Sequence, residues 1–167
     1  MKQIIVLVLA CSITPLASAQ AASCDLLADL MASAPSGFET HRGQPVGGSP
    51  NRSEANLDLQ SHECTIEALG PAYSLACYSK TGTSLVASMG QRKEQEGIGA
   101  CLPDWSKRRV QSADGVSGIE YGDSFTRETA DAEIRVTAFV SRDDAVKSVY
   151  SKRHGFSVLW KPRPKPD

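Results

Sequence analysis

The stretch CTIEALGPAYSLAC, residues 64–77, is the part of the chain that decides the fold. Apolar or small side chains recur at every second position on both sides of Gly70-Pro71, a pattern typical of two half-buried strands joined by a tight turn. Cysteines directly opposite each other on antiparallel strands lie at the separation that a disulfide needs. The sequence therefore predicts one hairpin with three pairs on one face, namely Ala68–Tyr73, Ile66–Leu75 and a disulfide-bonded Cys64–Cys77.

The other cysteines extend this framework. The chain has five cysteines, and Cys11 lies in an N-terminal segment that we expect to be removed. Four remain, an even number that favours two disulfides over metal ligation in an oxidising compartment. With Cys64 and Cys77 paired, exclusion predicts a second disulfide between Cys24 and Cys101.

The first 19 residues have the pattern of a secretory signal peptide. Lys2 precedes an apolar run over residues 4–16, and Ala17-Ser18-Ala19 is a small-residue cleavage site. Cleavage after residue 21 is the next choice, and a lipoprotein with a lipidated Cys11 is a competing interpretation, although its apolar run would be short. We expect a periplasmic or secreted protein, and the sequence does not separate these two locations.

Size and charge limit the protein class. The mature chain of about 148 residues has the length of one domain, and removal of Lys2 leaves a net charge of about −2. Nucleic-acid-binding proteins normally carry a concentrated basic excess, so we expect no nucleic-acid partner. No second apolar run has the length of a transmembrane segment.

The remaining pattern predicts a single α+β domain over residues 20–160. Residues 25–33 carry an apolar helical stripe, and a second helix is expected to begin near Thr83-Ser84 and to end by Leu102. Beyond Trp105 the alternation of strands returns, most clearly over residues 133–140. We expect an antiparallel sheet of about five to six strands, with two helices on one face and two disulfides.

Two segments lie outside this framework. Residues 37–56 are rich in Gly, Pro, Ser and Asn and are expected to form a long loop, either mobile or used for binding. Residues 161–167 alternate cations and prolines and predict an extended basic tail. With Lys152 and Arg153, this tail offers a basic patch for anionic headgroups or an acidic protein, or it only solubilises the chain.

The search for catalytic motifs is negative. The chain has no nucleophile elbow, phosphate-binding loop, zinc-protease helix or Cys-x-x-Cys motif, so we assign no catalytic residue and no cofactor. Its histidines are His41, His62 and His154, whose spacing does not indicate a zinc site, and we assign no metal ligand. His62 has the parity of Cys64 in the strand, which predicts a place at the rim of the buried face.

Candidate binding residues come from three places. The long loop offers His41 and Arg42, and Lys152 and Arg153 precede the last predicted strand. The outer face of the hairpin carries Glu63, Glu67 and Tyr78, with Glu63 opposite Tyr78, and a solvated sheet face is the preferred explanation for these three over a carboxylate site.

These observations favour a small exported binding protein without catalytic activity, of the inhibitor, immunity or envelope-adaptor type, whose partner is another envelope or extracellular protein. One alternative is a small periplasmic hydrolase with a dispersed site drawn from His41, His62, Glu63 and Asp104. Another is an envelope assembly protein that pairs through a sheet edge. Nothing in the sequence indicates the oligomeric state.

Overall fold

The computed structural model describes residues 23–59, 61–111, 119–142 and 151–164. The predicted signal peptide and the last three residues of the basic tail lie outside these ranges. Neither helix in the described ranges combines the length and the apolar character that a membrane crossing requires.

Two α-helices form where the sequence places capping residues. Helix α1 spans Cys24–Ser33, and the side chain of Ser23 accepts a hydrogen bond from the backbone N–H of Leu26 at 3.2 Å. Helix α2 spans Ser84–Cys101, and Thr83 caps it through the N–H of Val86 at 3.4 Å. Each cap satisfies a backbone donor that the first helical turn leaves without a partner.

The sheet has eight antiparallel strands in the order β1-β2-β3-β4-β8-β7-β6-β5. In chain order they are β1 Arg42–Pro45, β2 Arg52–Ala55, β3 His62–Leu69, β4 Ala72–Ser79, β5 Ser106–Gln111, β6 Ile119–Glu128, β7 Ala132–Arg142 and β8 Lys152–Pro162. Strands β1–β4 form one meander and β5–β8 another, and the last strand of each meets at the centre of the sheet.

The predicted count of five to six strands is therefore wrong, although the α+β class and the two helices are found. Strands β1 and β2 lie within the stretch 37–56 that was expected to be a loop. They are only four residues long and lack apolar alternation, so they carry no periodic signal. At the other end, β8 includes Lys161 and Pro162, which were assigned to the tail.

The β3–β4 hairpin has the predicted register. Cys64 pairs with Cys77, Ile66 with Leu75 and Ala68 with Tyr73. Gly70 turns the chain at φ +66°, a conformation that glycine adopts at little cost. The structure has the two predicted disulfides, Cys64–Cys77 within the hairpin and Cys24–Cys101 between the start of α1 and the end of α2.

The main core lies between the sheet and the two helices. Leu27 and Leu30 of α1 and Ile98 of α2 are completely buried there. The sheet contributes a matching set of buried side chains, Cys64, Ile66, Leu75, Cys77, Phe125, Val136, Ala138, Phe156 and Val158. This face positions every element of the site described below.

The opposite face carries a row in which large side chains alternate with glycines across five strands. The row runs Tyr78, Gly155, Phe139, Gly122 and Val110. The Tyr78 and Phe139 rings meet across Gly155, with centroids 5.3 Å apart. Glycine within a strand often marks a close approach of a neighbouring backbone, and aromatic side chains fill the space above it. Tyr78 is therefore packed, not part of a fully solvated outer face.

We expect Gly155→Ala to destabilise the fold by about 2–3 kcal/mol, in the range of overpacked cores. A Cβ at this position would overlap the Cys77 carbonyl oxygen and lie 3.2 Å from the Tyr78 Cα, and backbone atoms do not move aside easily. Urea unfolding with the disulfides intact measures the change.

Gly99→Ala is the matched control. Its Cβ would meet the Phe125 ring at 3.5 Å, an ordinary contact, and alanine favours the helix by about 0.5–1 kcal/mol. Equal unfolding midpoints for the two variants would contradict the close approach at Gly155.

Candidate functional site

Three titratable side chains from distant parts of the chain meet beneath α2. His62 begins β3, Glu94 lies in α2 and His154 lies near the start of β8. Each offers one ligand atom, and these atoms all lie within 4.8 Å of one another. The side chains of His62 and Glu94 are 3% and 5% exposed, and His154 is half-buried. We call these three residues the His-Glu-His cluster.

Strand parity places both imidazoles on the helix side of the sheet. His62 has the parity of Cys64 and Ile66, and His154 that of Phe156, because alternate residues of a strand face the same side. The prediction from parity thus placed His62 on the correct face. The His62 and His154 rings stand perpendicular, with centroids 5.6 Å apart.

Helix α2 supplies the carboxylate and the space for one ring. Its buried side carries Ala87, Gln91, Glu94 and Ile98, so that Glu94 faces the sheet. Gly90 lies one turn earlier, and a Cβ there would overlap the His154 ring, reaching its Cγ at 2.5 Å. The absent side chain at Gly90 is what lets the helix close over His154.

The ring nitrogens of His62 have different surroundings. Nδ1 lies 3.1 Å from the Ser61 hydroxyl oxygen, and we assign the ring proton to this contact. Nε2 lies 3.4 Å from Glu94 Oε1 but has no hydrogen-bond partner in the described ranges. With this assignment, the lone pair of Nε2 faces a carboxylate oxygen of the buried Glu94. A cation placed close to both atoms would give this buried nitrogen a partner.

The surroundings of His154 favour its neutral form. Burial lowers the pKa of His154 below its ordinary value of 6.5, the neighbouring His62 lowers it further, and Glu94 acts in the opposite direction. Its backbone N–H donates to Ser79 Oγ at 3.1 Å, which fixes the strand at this point. A neutral imidazole is the form that ligates metals.

The donor set suits a first-row transition metal. Two imidazole nitrogens and one carboxylate oxygen are a common ligand set for Zn²⁺, whereas Mg²⁺ and Ca²⁺ prefer oxygen ligands alone. Three protein ligands leave one position of a tetrahedron for a further ligand. The hydrogen bond from Nδ1 to Ser61 would orient His62 from the second shell of such a site.

Sequence reasoning missed this cluster. It considered a site of three histidines, but His41 lies in a separate place, with Nε2 3.1 Å from Asp29 Oδ2. The third member is Glu94, and a glutamate in a helix is normally solvated. Two features of the sequence could have indicated the cluster. His62 has the strand parity of the buried residue Cys64, and Gly90 precedes Glu94 by one helical turn.

The predicted binding residues of the outer face come together with two arginines. Glu63 faces Tyr78 as predicted, and Arg153 lies 3.7 Å from Glu63. Burial raises the pKa of Tyr78 above its ordinary value of 10.0, and the charges of Arg52, Glu67 and Arg153 act on it as well. The charges of this group largely offset one another, so it presents no strong field.

The other predicted residues have structural contacts. Arg42 donates to the Gly37 carbonyl oxygen at 3.0 Å. Lys152 forms an ion pair with Glu120, and only 12% of its side chain is exposed. The basic patch that the sequence predicts around Lys152 and Arg153 is thus partly neutralised.

Comparison of the chain with protein-family models, curated proteins and solved structures finds no match. The geometry of the chain itself therefore carries the functional argument.

We expect the His154 ring proton resonances of the metal-free protein to titrate with a midpoint below pH 6.5. The unfolded chain binds this proton more readily, so the contribution of His154 to stability should fall as the pH drops from about 6.5 toward the lowered pKa, and should be constant above pH 6.5. NMR titration and urea unfolding between pH 5 and 8 measure both effects.

Gly90→Ala provides the test of the packing. The added Cβ should displace the His154 ring toward solvent and bring its midpoint closer to 6.5, while Gly99→Ala in the same helix should leave it unchanged. A wild-type midpoint at or above 6.5 would count against the buried position of this ring.

Proposed function

We propose that this chain is an exported, non-catalytic protein that binds one transition-metal ion, Zn²⁺ in the first place, through His62, Glu94 and His154. The observation that carries the proposal is the convergence of three possible ligand atoms within 4.8 Å of one another, one of which is the buried Nε2 of His62 without a hydrogen bond. His154 completes the ligand set within 4.8 Å.

A proton is the competing cation. The contact between His62 Nε2 and Glu94 Oε1, at 3.4 Å, is close enough for an ion pair but does not have hydrogen-bond geometry. A metal ion does not need to lie on the line between the two atoms. His62, Glu94 and His154 could bind a metal ion at the same time, whereas a single proton cannot be shared by all three.

The burial of the ligands favours a permanently bound ion rather than an open catalytic centre. A catalytic zinc needs a fourth position that substrate can reach, and here two of the three ligands beside that position, His62 and Glu94, are almost completely covered. Of the residues offered for a dispersed hydrolase, His41, His62, Glu63 and Asp104, only His62 belongs to the cluster. The hydrolase alternative therefore has less support.

Export is part of the proposal. Two disulfides are typical of an oxidising compartment, and the leader over residues 1–19 supports the periplasm or the cell exterior. A disulfide-braced metal protein is stable under those conditions, because neither bridge meets a reducing thiol pool.

Isothermal titration of the mature protein, prepared without a histidine tag, tests zinc binding. We expect one ion per chain, and Glu94→Gln should weaken binding by at least about 10–100-fold, the loss seen even for second-shell changes. Substitution of Co²⁺ should give the visible absorption of a tetrahedral site.

His41→Gln is the matched control, because it removes the one histidine outside the cluster and should leave zinc affinity unchanged. The proposal fails if wild-type protein and Glu94→Gln bind zinc equally, or if neither binds it.

A protein partner is a second candidate function, favoured by the outer side of α2. Leu85, Val86 and Met89 are 70%, 55% and 65% exposed there, which is unusual for three neighbouring apolar side chains. Sheet-edge pairing has less support, since β1 contains Pro45 and β5 carries the exposed cations 107–109, and both features discourage strand addition.

Capture from an envelope extract distinguishes the partner function. Leu85→Ser with Met89→Ser should lose a protein that the wild type retains, because the apolar contact is removed. Ala100→Ser makes a comparable change at an exposed position near the other end of α2 and should retain that protein. The same proteins on all three baits would argue against this surface.

A further inference from the structure

The two ends of α2 are attached to the sheet in different ways. At the C-terminal end, Ile98 and the following Leu102 belong to the main core, and Cys101 is bonded to Cys24 of α1. Apolar burial and a covalent bond therefore hold this end without help from any ligand.

The first three turns have little apolar contact with the sheet. Their buried residues are Ala87, Gln91 and Glu94, of which only Ala87 is apolar. The larger apolar side chains Leu85 and Met89 point to solvent. The helix is thus polar inside and apolar outside over this part, the reverse of the pattern that normally drives a helix onto a sheet.

Polar contacts take the place of a core at this end. The Ser88 and Tyr121 hydroxyls lie 2.7 Å apart, and Gln91 donates to Asp123 at 3.4 Å. The His-Glu-His cluster lies next to them, and Glu94 is the only one of its ligands that belongs to the helix. Just before the helix, Gly82 and Lys152 exchange two backbone hydrogen bonds that fix the chain to β8. An isolated helix of this length is marginal in water, so within the helix these polar contacts decide whether the segment stays in place.

We propose that the bound metal ion seats the first three turns of α2 on the sheet, so that residues 84–96 open locally when the ion is removed. This inference rests on the proposed function, since it needs an ion at the cluster. The ion joins β3, α2 and β8 through one ligand each, and opening of the helix segment breaks the Glu94 bond. Metal binding at the cluster therefore raises the free energy of local opening of this segment.

Hydrogen exchange of the intact, disulfide-bonded protein tests the proposal. In the chelator-treated protein, amides of residues 88–96 should exchange faster than those of the central strands β4 and β8. Zinc at about 100 times its Kd should slow them by up to about 100-fold, because closed protein alone retains the complete site. Residues 98–101, held by the core and by the disulfide, should change less.

Two variants separate the possible results. In Glu94→Gln, exchange of residues 88–96 should be fast with or without zinc, whereas His41→Gln should respond to zinc as the wild type does. If titration shows zinc bound by the wild type while chelated protein protects residues 88–96 as well as β4, the seating proposal is overturned and the metal-binding function stands. If titration shows no zinc bound at the cluster, the metal-binding function fails and the seating proposal fails with it.

Discussion

The pairing of Cys64 with Cys77 is the constraint on which the rest of the structure depends. A slip of one residue in this register would move every side chain of β3 to the other face, including His62. In the neighbouring strand β8, Phe156 pairs with Cys77 and so lies on the same face of the sheet. His154 is two residues before Phe156 and therefore also faces the helices. The covalent bond that braces the hairpin thereby fixes the side of the sheet on which both imidazoles lie.

The features that could be predicted from the sequence are those that local residue patterns indicate. Alternation around Gly70-Pro71 sets the hairpin register, and Ser23 and Thr83 mark the starts of both helices. Strands β1 and β2 have no such pattern, because strand pairing, of β2 with β3 and of β1 with β2, holds them in place and not apolar burial. The burial of Glu94 could not be predicted for a related reason, because it depends on how α2 packs on the sheet.

Helix α2 departs from ordinary amphipathic design where the candidate site lies. Gly90 and Glu94 are poor choices for a helix that needs only to pack, yet together they admit one imidazole and present a carboxylate to two. Proteins tend to break local rules of this kind at functional positions and to compensate elsewhere. Here the compensation is visible at the other end of the helix, in Ile98 and the Cys24–Cys101 bridge.

The central place of β8 has a consequence for how the molecule is made. The last of the eight described strands lies between β4 and β7, so among the residues that the structure describes the two meanders share no strand pairing until residues 152–162 have been synthesised. A chain cut short before β8 would hold two separate half-sheets and would lack His154. Synthesis of β8 is therefore the step that allows the sheet to become continuous, and contacts of such long sequence separation form slowly.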